Sequence, residues 1–236
     1  MNFDYTYILL FGFRIFEPMV IVTNSIFFTL CAIFFTRLKS ITHSYSNQMA
    51  WFILMLGISS VFGAAGHAIH MQLGEDFFKI ILFLMNAFSL LSIYFCFRAA
   101  YTYINLEREP SKKYIYLIMA WVLILLIASV IQGNFTIIKV HAGITLLYSL
   151  IVHYLVYRRA QDKGSLLVVL GIFISFLPII VHSLKLSIDK WFNYKDLAHV
   201  IMIISLLVIY KGAYKIAKQL ALKKNGKTQT EESVRV

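Results

Sequence analysis

The sequence predicts an all-α polytopic membrane protein, a bundle of seven transmembrane helices. Sixty per cent of its 236 residues are hydrophobic and only 14% are charged, whereas soluble domains carry about 25% charged residues. Seven stretches are apolar over roughly the 20 residues that a helix needs to cross the hydrocarbon core. The Lys and Arg residues, which give a net charge of +11, fall mostly between these stretches. They indicate membrane orientation, and no nucleic-acid partner is predicted.

The predicted spans follow one another with short connections, at residues 17–36, 49–70, 77–98, 114–132, 136–157, 165–186 and 197–213. Residues 3–16 are aromatic and apolar but interrupted by Arg14, and we interpret them as an interfacial segment or a bent extension of the first helix. Pro18 suits the first turn of that helix, where a missing N–H costs nothing. Two regions are predicted: residues 1–218 form the transmembrane domain, and residues 219–236 form a basic, disordered tail facing the cytoplasm.

The distribution of basic residues sets the predicted orientation. Sixteen Lys and Arg residues belong to the connections after spans 1, 3 and 5 and to the C-terminal tail, and six belong to the opposite side. Because cytoplasmic segments carry the excess of Lys and Arg, the N-terminus is predicted outside and the C-terminus in the cytoplasm. We expect the membrane to be a bacterial inner membrane.

Five of the seven histidines are predicted at the outer end of the bundle. His67 and His70 lie in the last turns of span 2, and His141 lies in the second turn of span 5. His182 lies about one turn from the end of span 6, and His199 about one turn into span 7. Histidines at one depth with carboxylates nearby are typical of a zinc site. For any one of them, the alternative is a hydrogen bond between helices or contact with headgroup water.

Helical spacing adds a carboxylate, a hydroxyl and an ammonium group to these histidines. Asp196 and His199 are three residues apart and share a face of span 7, and Lys195 is four residues from His199. Ser60 lies two turns below His67 on one face of span 2. The structural alternatives are a packing role for Ser60 and a solvated interface charge for Lys195.

Further carboxylates are predicted at the same membrane face. Glu17 is at the outer threshold of span 1, two turns from Asn24, and Glu75 and Asp76 end the short loop between spans 2 and 3. Such groups suit a second shell around a metal ion. Alternatively, Glu17 is simply a negative charge favourable at a helix N-terminus.

Three stretches of the sequence resemble a known superfamily. EPMVIVTN (17–24), GAAGHAIH (63–70) and FNYKDLAHVIMIISLLVIYKGA (192–213), within seven spans, resemble the CREST superfamily of membrane hydrolases, and bacterial members most closely. That group includes alkaline ceramidases, adiponectin-receptor-type proteins and haemolysin III-type proteins. The resemblance implies a zinc ion held by one His of span 2 and two of an HxxxH motif in span 7, with metal-bound water attacking a lipid amide.

Matched by position, the resemblance implies that His67 is the ligand of span 2 and that His199 is the second His of HxxxH. Lys195 stands where that motif has its first His, and a protonated lysine cannot bind zinc. The third ligand would then be His182 or His70, which lie at a suitable depth.

The leading hypothesis is a zinc-dependent, ceramidase-like membrane hydrolase that cleaves an amide or ester bond of a membrane lipid near the outer face. His67, His182 and His199 would bind zinc. Asp196, or alternatively Asp76, would orient a ligand or act as general base, and Ser60 would donate a hydrogen bond to the oxyanion. The first alternative is a non-catalytic lipid-binding or sensor protein of the same fold. The second is a b-type haem protein with two outer histidines as axial ligands.

Overall fold

The computed structural model of the chain describes residues 6–105 and 110–234. It contains a short antiparallel hairpin followed by long helices, which are β1 (Tyr7–Leu10), β2 (Phe13–Phe16), α1 (Pro18–Lys39), α2 (Ser44–Ile104), α3 (Lys112–Gln132), α4 (Thr136–Ala160), α5 (Lys163–Leu184) and α6 (Tyr194–Val234).

Helix α2 comprises two spans that meet at Gly74. The backbone of Gly74 leaves helical geometry there (φ 81°, ψ 171°), in a region that favours glycine. We call the two parts α2a (Ser44–Ile69) and α2b (Gly74–Ile104). With this division, seven helices among the described residues are long and apolar enough to cross a membrane, and the predicted seven-helix, all-α fold is confirmed.

The helices alternate in direction, so the bundle has two distinct ends. We call the hairpin end the one that carries β1 and β2, where α1 begins and α2a ends. The opposite end, where α1 ends, is called the tail end. The seven spans correspond in order to α1, α2a, α2b, α3, α4, α5 and α6. The outer face predicted from the basic residues is thus the hairpin end.

Local sequence signals account for where several helices begin and end. The Ser111 hydroxyl and the Asp162 carboxylate accept hydrogen bonds from backbone N–H groups in the first turns of α3 and α5, as N-cap residues do. Gly133 ends α3 in the left-handed conformation (φ 66°), the usual role of a C-terminal glycine. These caps mark where α3 begins and ends and where α5 begins.

The main core lies where α1, α2, α5 and α6 pack together. It includes the fully buried Leu38, Tyr45 and Ile53. Helices α5 and α6 approach closely because glycines face each other: a Cβ added to Gly212 would lie 2.6 Å from the carbonyl oxygen of Gly164. Small residues of this kind allow membrane helices to pack through their backbones.

The structure excludes one of the two interpretations of the N-terminal segment, namely that residues 3–16 extend the first helix. Residues 7–16 form a β-hairpin, in which Tyr7 pairs with Phe16 and Leu10 with Phe13, so they are not an extension of the first helix. Phe11 (φ 50°) and Gly12 (φ 82°) both adopt the left-handed conformation, which a two-residue hairpin turn requires. Residues 3–5 of the predicted segment lie outside the described residues.

The C-terminus also differs from the prediction. Helix α6 continues past the expected boundary at residue 218 as far as Val234, so the predicted disordered tail is helical over residues 219–234. Gln219, Leu220, Ala221 and Leu222 directly follow that boundary, and all of these residue types favour helix. The last two residues of the chain lie outside the described part.

Candidate functional site

Glu17 is the centre of a polar cluster at the hairpin end. It precedes α1 in the left-handed conformation (φ 47°, ψ 58°), which costs a residue with a side chain on the order of 1 kcal/mol. Its N–H donates to the carbonyl of Thr6 at 2.9 Å, so the hairpin holds it in place. Its side chain is buried, with 6% exposed, although it is a carboxylate.

Three side chains surround the Glu17 carboxylate. The Lys195 ammonium donates to its two oxygens at 2.6 and 2.8 Å. His67 Nδ1 lies 2.9 Å from Oε2, and the Asn193 amide donates to Oε1 at 3.5 Å. Burial by itself raises the pKa of Glu17, but the hydrogen bonds from His67 and Lys195 outweigh it and lower the pKa to about 2. The carboxylate therefore joins α1 to α2a and α6 as an anion.

His199 lies beside this cluster and contacts α1. Its Nδ1 is 3.2 Å from both Thr23 Oγ1 and Asn24 Nδ2. The Thr23 hydroxyl donates its proton to backbone carbonyls of its own helix and can only accept from His199, whereas the Asn24 amide can only donate. The Thr23 contact therefore fits the tautomer with the proton on Nδ1, which leaves Nε2 free as a ligand atom, whereas the Asn24 contact fits the tautomer with the proton on Nε2.

Asp196 has a structural role at the start of α6. Its Oδ2 accepts from the backbone N–H of Asn193 at 2.9 Å, and the Asn193 side chain accepts from the backbone N–H of Lys195 at 2.8 Å. This is the reciprocal arrangement of a capping box. The second oxygen, Oδ1, is buried without a hydrogen-bond partner. Asp196 thus fixes the helix turn that presents Lys195 and His199.

His182 approaches the cluster from the last turn of α5. Its ring packs edge-on against Tyr194, with 5.2 Å between the ring centroids. His67, His182 and His199 all lie at the hairpin end, near the end of α2a, in the last turn of α5 and near the start of α6. The structure therefore brings the three predicted ligands to one end of the bundle, while the side chain of His70 lies outside the described part.

Ser60 and Asp76 do not join the cluster. The Ser60 hydroxyl donates to the carbonyl of Gly57 in its own helix at 2.7 Å, as serine commonly does within helices. Asp76 is 98% exposed and lies 3.3 Å from Lys79 Nζ. Glu75 is likewise exposed and contacts the same lysine, and both acidic residues lie within the helical first turn of α2b rather than in a loop.

A cavity of about 260 Å³ opens beside Glu17, between α2a and α2b. Its polar lining is Glu17, His67 and Lys195, and its apolar lining consists of Phe16, Phe62, Gly63, Gly66, Phe78, Ile81, Leu82 and Met85. A Cβ at Gly66 would meet Ile81 and Phe78 at 3.5 Å, so the absent side chain leaves part of this space open.

The apolar half of the cavity was not predicted from the sequence. Phe78, Ile81, Leu82 and Met85 recur with the spacing of one helix face. That pattern is also what any membrane helix shows toward lipid or toward its neighbours. The signal that distinguishes this face is Gly74, since the chain reverses there and turns the face of α2b toward His67.

The resemblance implies a zinc site at this end of the bundle. No three His, Cys, Asp or Glu side chains within residues 6–105 and 110–234 are grouped closely enough to hold a metal ion. In addition, Lys195 places a positive charge on Glu17, which is unfavourable for a cation beside it. This arrangement does not fit the zinc site of the resemblance, and zinc binding stays a prediction.

The chain matches one protein family over residues 19–218, and the family is described as one of unknown function (DUF6962). No curated protein matches the chain, and no solved structure does. The matched segment runs from the first turn of α1 to the membrane part of α6, and it includes His67, His182, Lys195 and His199. Because the match covers most of the sequence, the chain belongs to the family of unknown function DUF6962.

Proposed function

We propose that this membrane protein binds a lipid-like amphiphile in the cavity between α2a and α2b. The observation that carries the proposal is the division of the cavity into an apolar part and a polar end. Ligand sites are typically concave and apolar with a few polar groups that orient the ligand. The hydrocarbon part would lie against Phe62, Phe78 and Met85.

The charges at the polar end indicate which polar group is bound. The carboxylate of Glu17 is already paired with the Lys195 ammonium, so a ligand group with a full charge would disturb this pair. An amide, ester or hydroxyl group could instead hydrogen-bond to His67, whose side chain is 41% exposed. A ceramide is an uncharged amphiphile with an amide and hydroxyl groups, and it is therefore the probe of choice.

Binding is tested with a fluorescent ceramide titrated into the purified chain in nanodiscs of phosphatidylcholine. Gly66→Leu is expected to weaken binding at least about 10-fold, because the new side chain enters a small cavity. The matched control is Gly143→Leu, since a Cβ at Gly143 meets no atom within 4 Å. Gly66→Ala, whose Cβ makes ordinary contacts, should bind nearly as the wild type does.

Equal binding by the wild type and Gly66→Leu would overturn the proposal, provided that both elute as folded monodisperse protein. No saturable binding by the wild type, with ceramide or with fluorescent fatty-acyl esters, would overturn it as well.

Zinc-dependent hydrolysis of a lipid amide or ester is the second candidate function. The contact between His67 Nδ1 and the Glu17 carboxylate favours it, because metal-binding histidines commonly give their other ring nitrogen to a carboxylate. His67, His182 and His199 would be the ligands only after their side chains move closer together, because the described side chains do not form a metal-binding group in this structure. We also propose that the site lies at the outer face of the membrane, because Lys and Arg are concentrated on the opposite side, and that the membrane is a bacterial inner membrane.

This second candidate is tested by elemental analysis of protein purified without chelator, together with release of fatty acid from fluorescent ceramide. About one zinc ion per chain and turnover, both lost in His67→Ala and in His199→Ala, would support it. If the protein binds ceramide but contains no zinc and releases no fatty acid, the hydrolase proposal is wrong and the binding proposal stands. The absorbance spectrum of the same sample tests the haem alternative, which requires a Soret band.

A further inference from the structure

A second cavity lies at the tail end, far along the bundle from Glu17. It has a volume of about 420 Å³ and is lined by Tyr157, Gln161, Lys163, Leu166, Leu167 and Lys215. The chain forms it by turning sharply between α4 and α5, where Gln161 adopts the left-handed conformation (φ 51°). Lys215 reaches it from α6. Three helices therefore contribute to one open groove at the end of their membrane-spanning parts.

The two lysines of this groove have no ion-pair partner among the residues that the structure describes. Both are exposed, and neither ammonium has a carboxylate of the described residues within ion-pair distance. Asp162, which directly precedes Lys163 in the sequence, is engaged elsewhere. Its oxygens accept from the backbone N–H groups of Gly164 and Ser165, from the Ser165 hydroxyl and from the Tyr103 hydroxyl.

These hydrogen bonds keep Asp162 at the start of α5 and bonded to α2. Burial raises the pKa of Asp162, but the hydrogen bonds from Ser165, Gly164 and Tyr103 outweigh it and lower the pKa. Its charge is satisfied by these donors rather than by the lysines of the groove, which leaves a positive potential for an outside anion.

The groove also has an apolar wall. Leu166 and Leu167 follow Lys163 by one turn on α5 and line the same space, and Tyr157 closes it from α4. A basic rim above leucine side chains at a helix end matches the two parts of a phospholipid, and an aromatic residue is common at this level.

We propose that this groove binds an anionic glycerophospholipid, with the phosphodiester between Lys163 and Lys215 and one acyl chain along Leu166 and Leu167. Gln161 can donate a further hydrogen bond to the headgroup. A zwitterionic phosphatidylcholine carries a quaternary ammonium that the two lysines repel, so the groove discriminates by headgroup charge.

The test is a titration of phosphatidylglycerol into the detergent-solubilised chain, followed by native mass spectrometry. Each of Lys163→Gln and Lys215→Gln is expected to weaken binding about 5-fold, and the double variant about 30-fold. The matched control is Lys112→Gln/Lys113→Gln, which removes the same charge from exposed residues at the same end of the bundle that do not line the groove. The double Lys→Arg variant should bind as the wild type does.

Three results would overturn the proposal. The first is equal loss of binding in the groove variant and in the control variant, which would show non-specific surface attraction. The second is equal binding of phosphatidylcholine by the wild type. The third is displacement of the lipid by millimolar inorganic phosphate, which would show that the groove takes the free anion.

Discussion

Glu17 is a buried carboxylate that holds two basic side chains from different helices. A buried ion pair need not stabilise a protein relative to apolar residues of similar size, but removing one partner leaves the other charge without compensation. The consequence for this chain is an asymmetry between single and double substitutions at Glu17 and Lys195.

Removing one partner of a buried ion pair costs about 3–5 kcal/mol. We expect Glu17→Gln to lie at the lower end of this range, because 16% of the Lys195 side chain is exposed and water can partly solvate its charge. The double variant Glu17→Gln/Lys195→Met should recover most of that loss. Thermal unfolding in detergent measures both. A double variant less stable than the single one would contradict this account of the pair.

Acid should remove the same interaction. The pKa of Glu17 lies at about 2 in the folded chain, below its ordinary value of 4.5. A lowered folded pKa means that the stabilisation is complete above pH 4.5 and is lost as the pH falls toward 2. The midpoint of thermal unfolding should therefore fall more steeply over this range in the wild type than in Glu17→Gln. Asp76→Asn, which removes an exposed carboxylate, should keep the dependence of the wild type.

The first turn of α6 carries Lys195, Asp196 and His199 and is fixed by the capping box. Asn193→Ala should destabilise the chain by about 1 kcal/mol, the usual loss at an N-cap. It should also weaken ceramide binding, because Lys195 loses the hydrogen bond to its backbone N–H. Asn193→Ser restores a capping oxygen and should restore both properties. Unfolding midpoints and fluorescence titrations measure the two effects.

The helices were predictable because each needs only an apolar run of membrane length, a signal that tertiary packing does not alter. The hairpin was not, since its alternation of residues is short and its aromatic side chains also suit a helix. The candidate site was predicted in part. The position of each residue along its helix predicted that His67 and His199 lie at the same end of the bundle. Which side chains touch depends also on the rotation of each helix about its own axis, which the sequence does not give. In the structure, Glu17 contacts His67 and the Ser60 hydroxyl bonds to the backbone of its own helix.

The orientation of the whole bundle is open to a direct measurement. Lys190 is exposed in the connection between α5 and α6 at the hairpin end, and Arg159 is exposed at the tail end. On intact cells, a membrane-impermeant maleimide should label Lys190→Cys and leave Arg159→Cys unlabelled until the cells are opened. The native Cys31 and Cys96 are buried and should give little background. The reverse labelling pattern would place the cavity beside Glu17 in the cytoplasmic half of the membrane.

The contact between Glu17 and Lys195 has a further consequence for how the protein is made. Glu17 leaves the ribosome before Lys195, and helices α1 to α5 are synthesised between them. Until Lys195 is in place, the Glu17 carboxylate must either stay hydrated at the membrane surface or pair with His67. A product that stops before α6 lacks Asn193 and Lys195, so the Glu17 carboxylate keeps only His67 of its three side-chain partners.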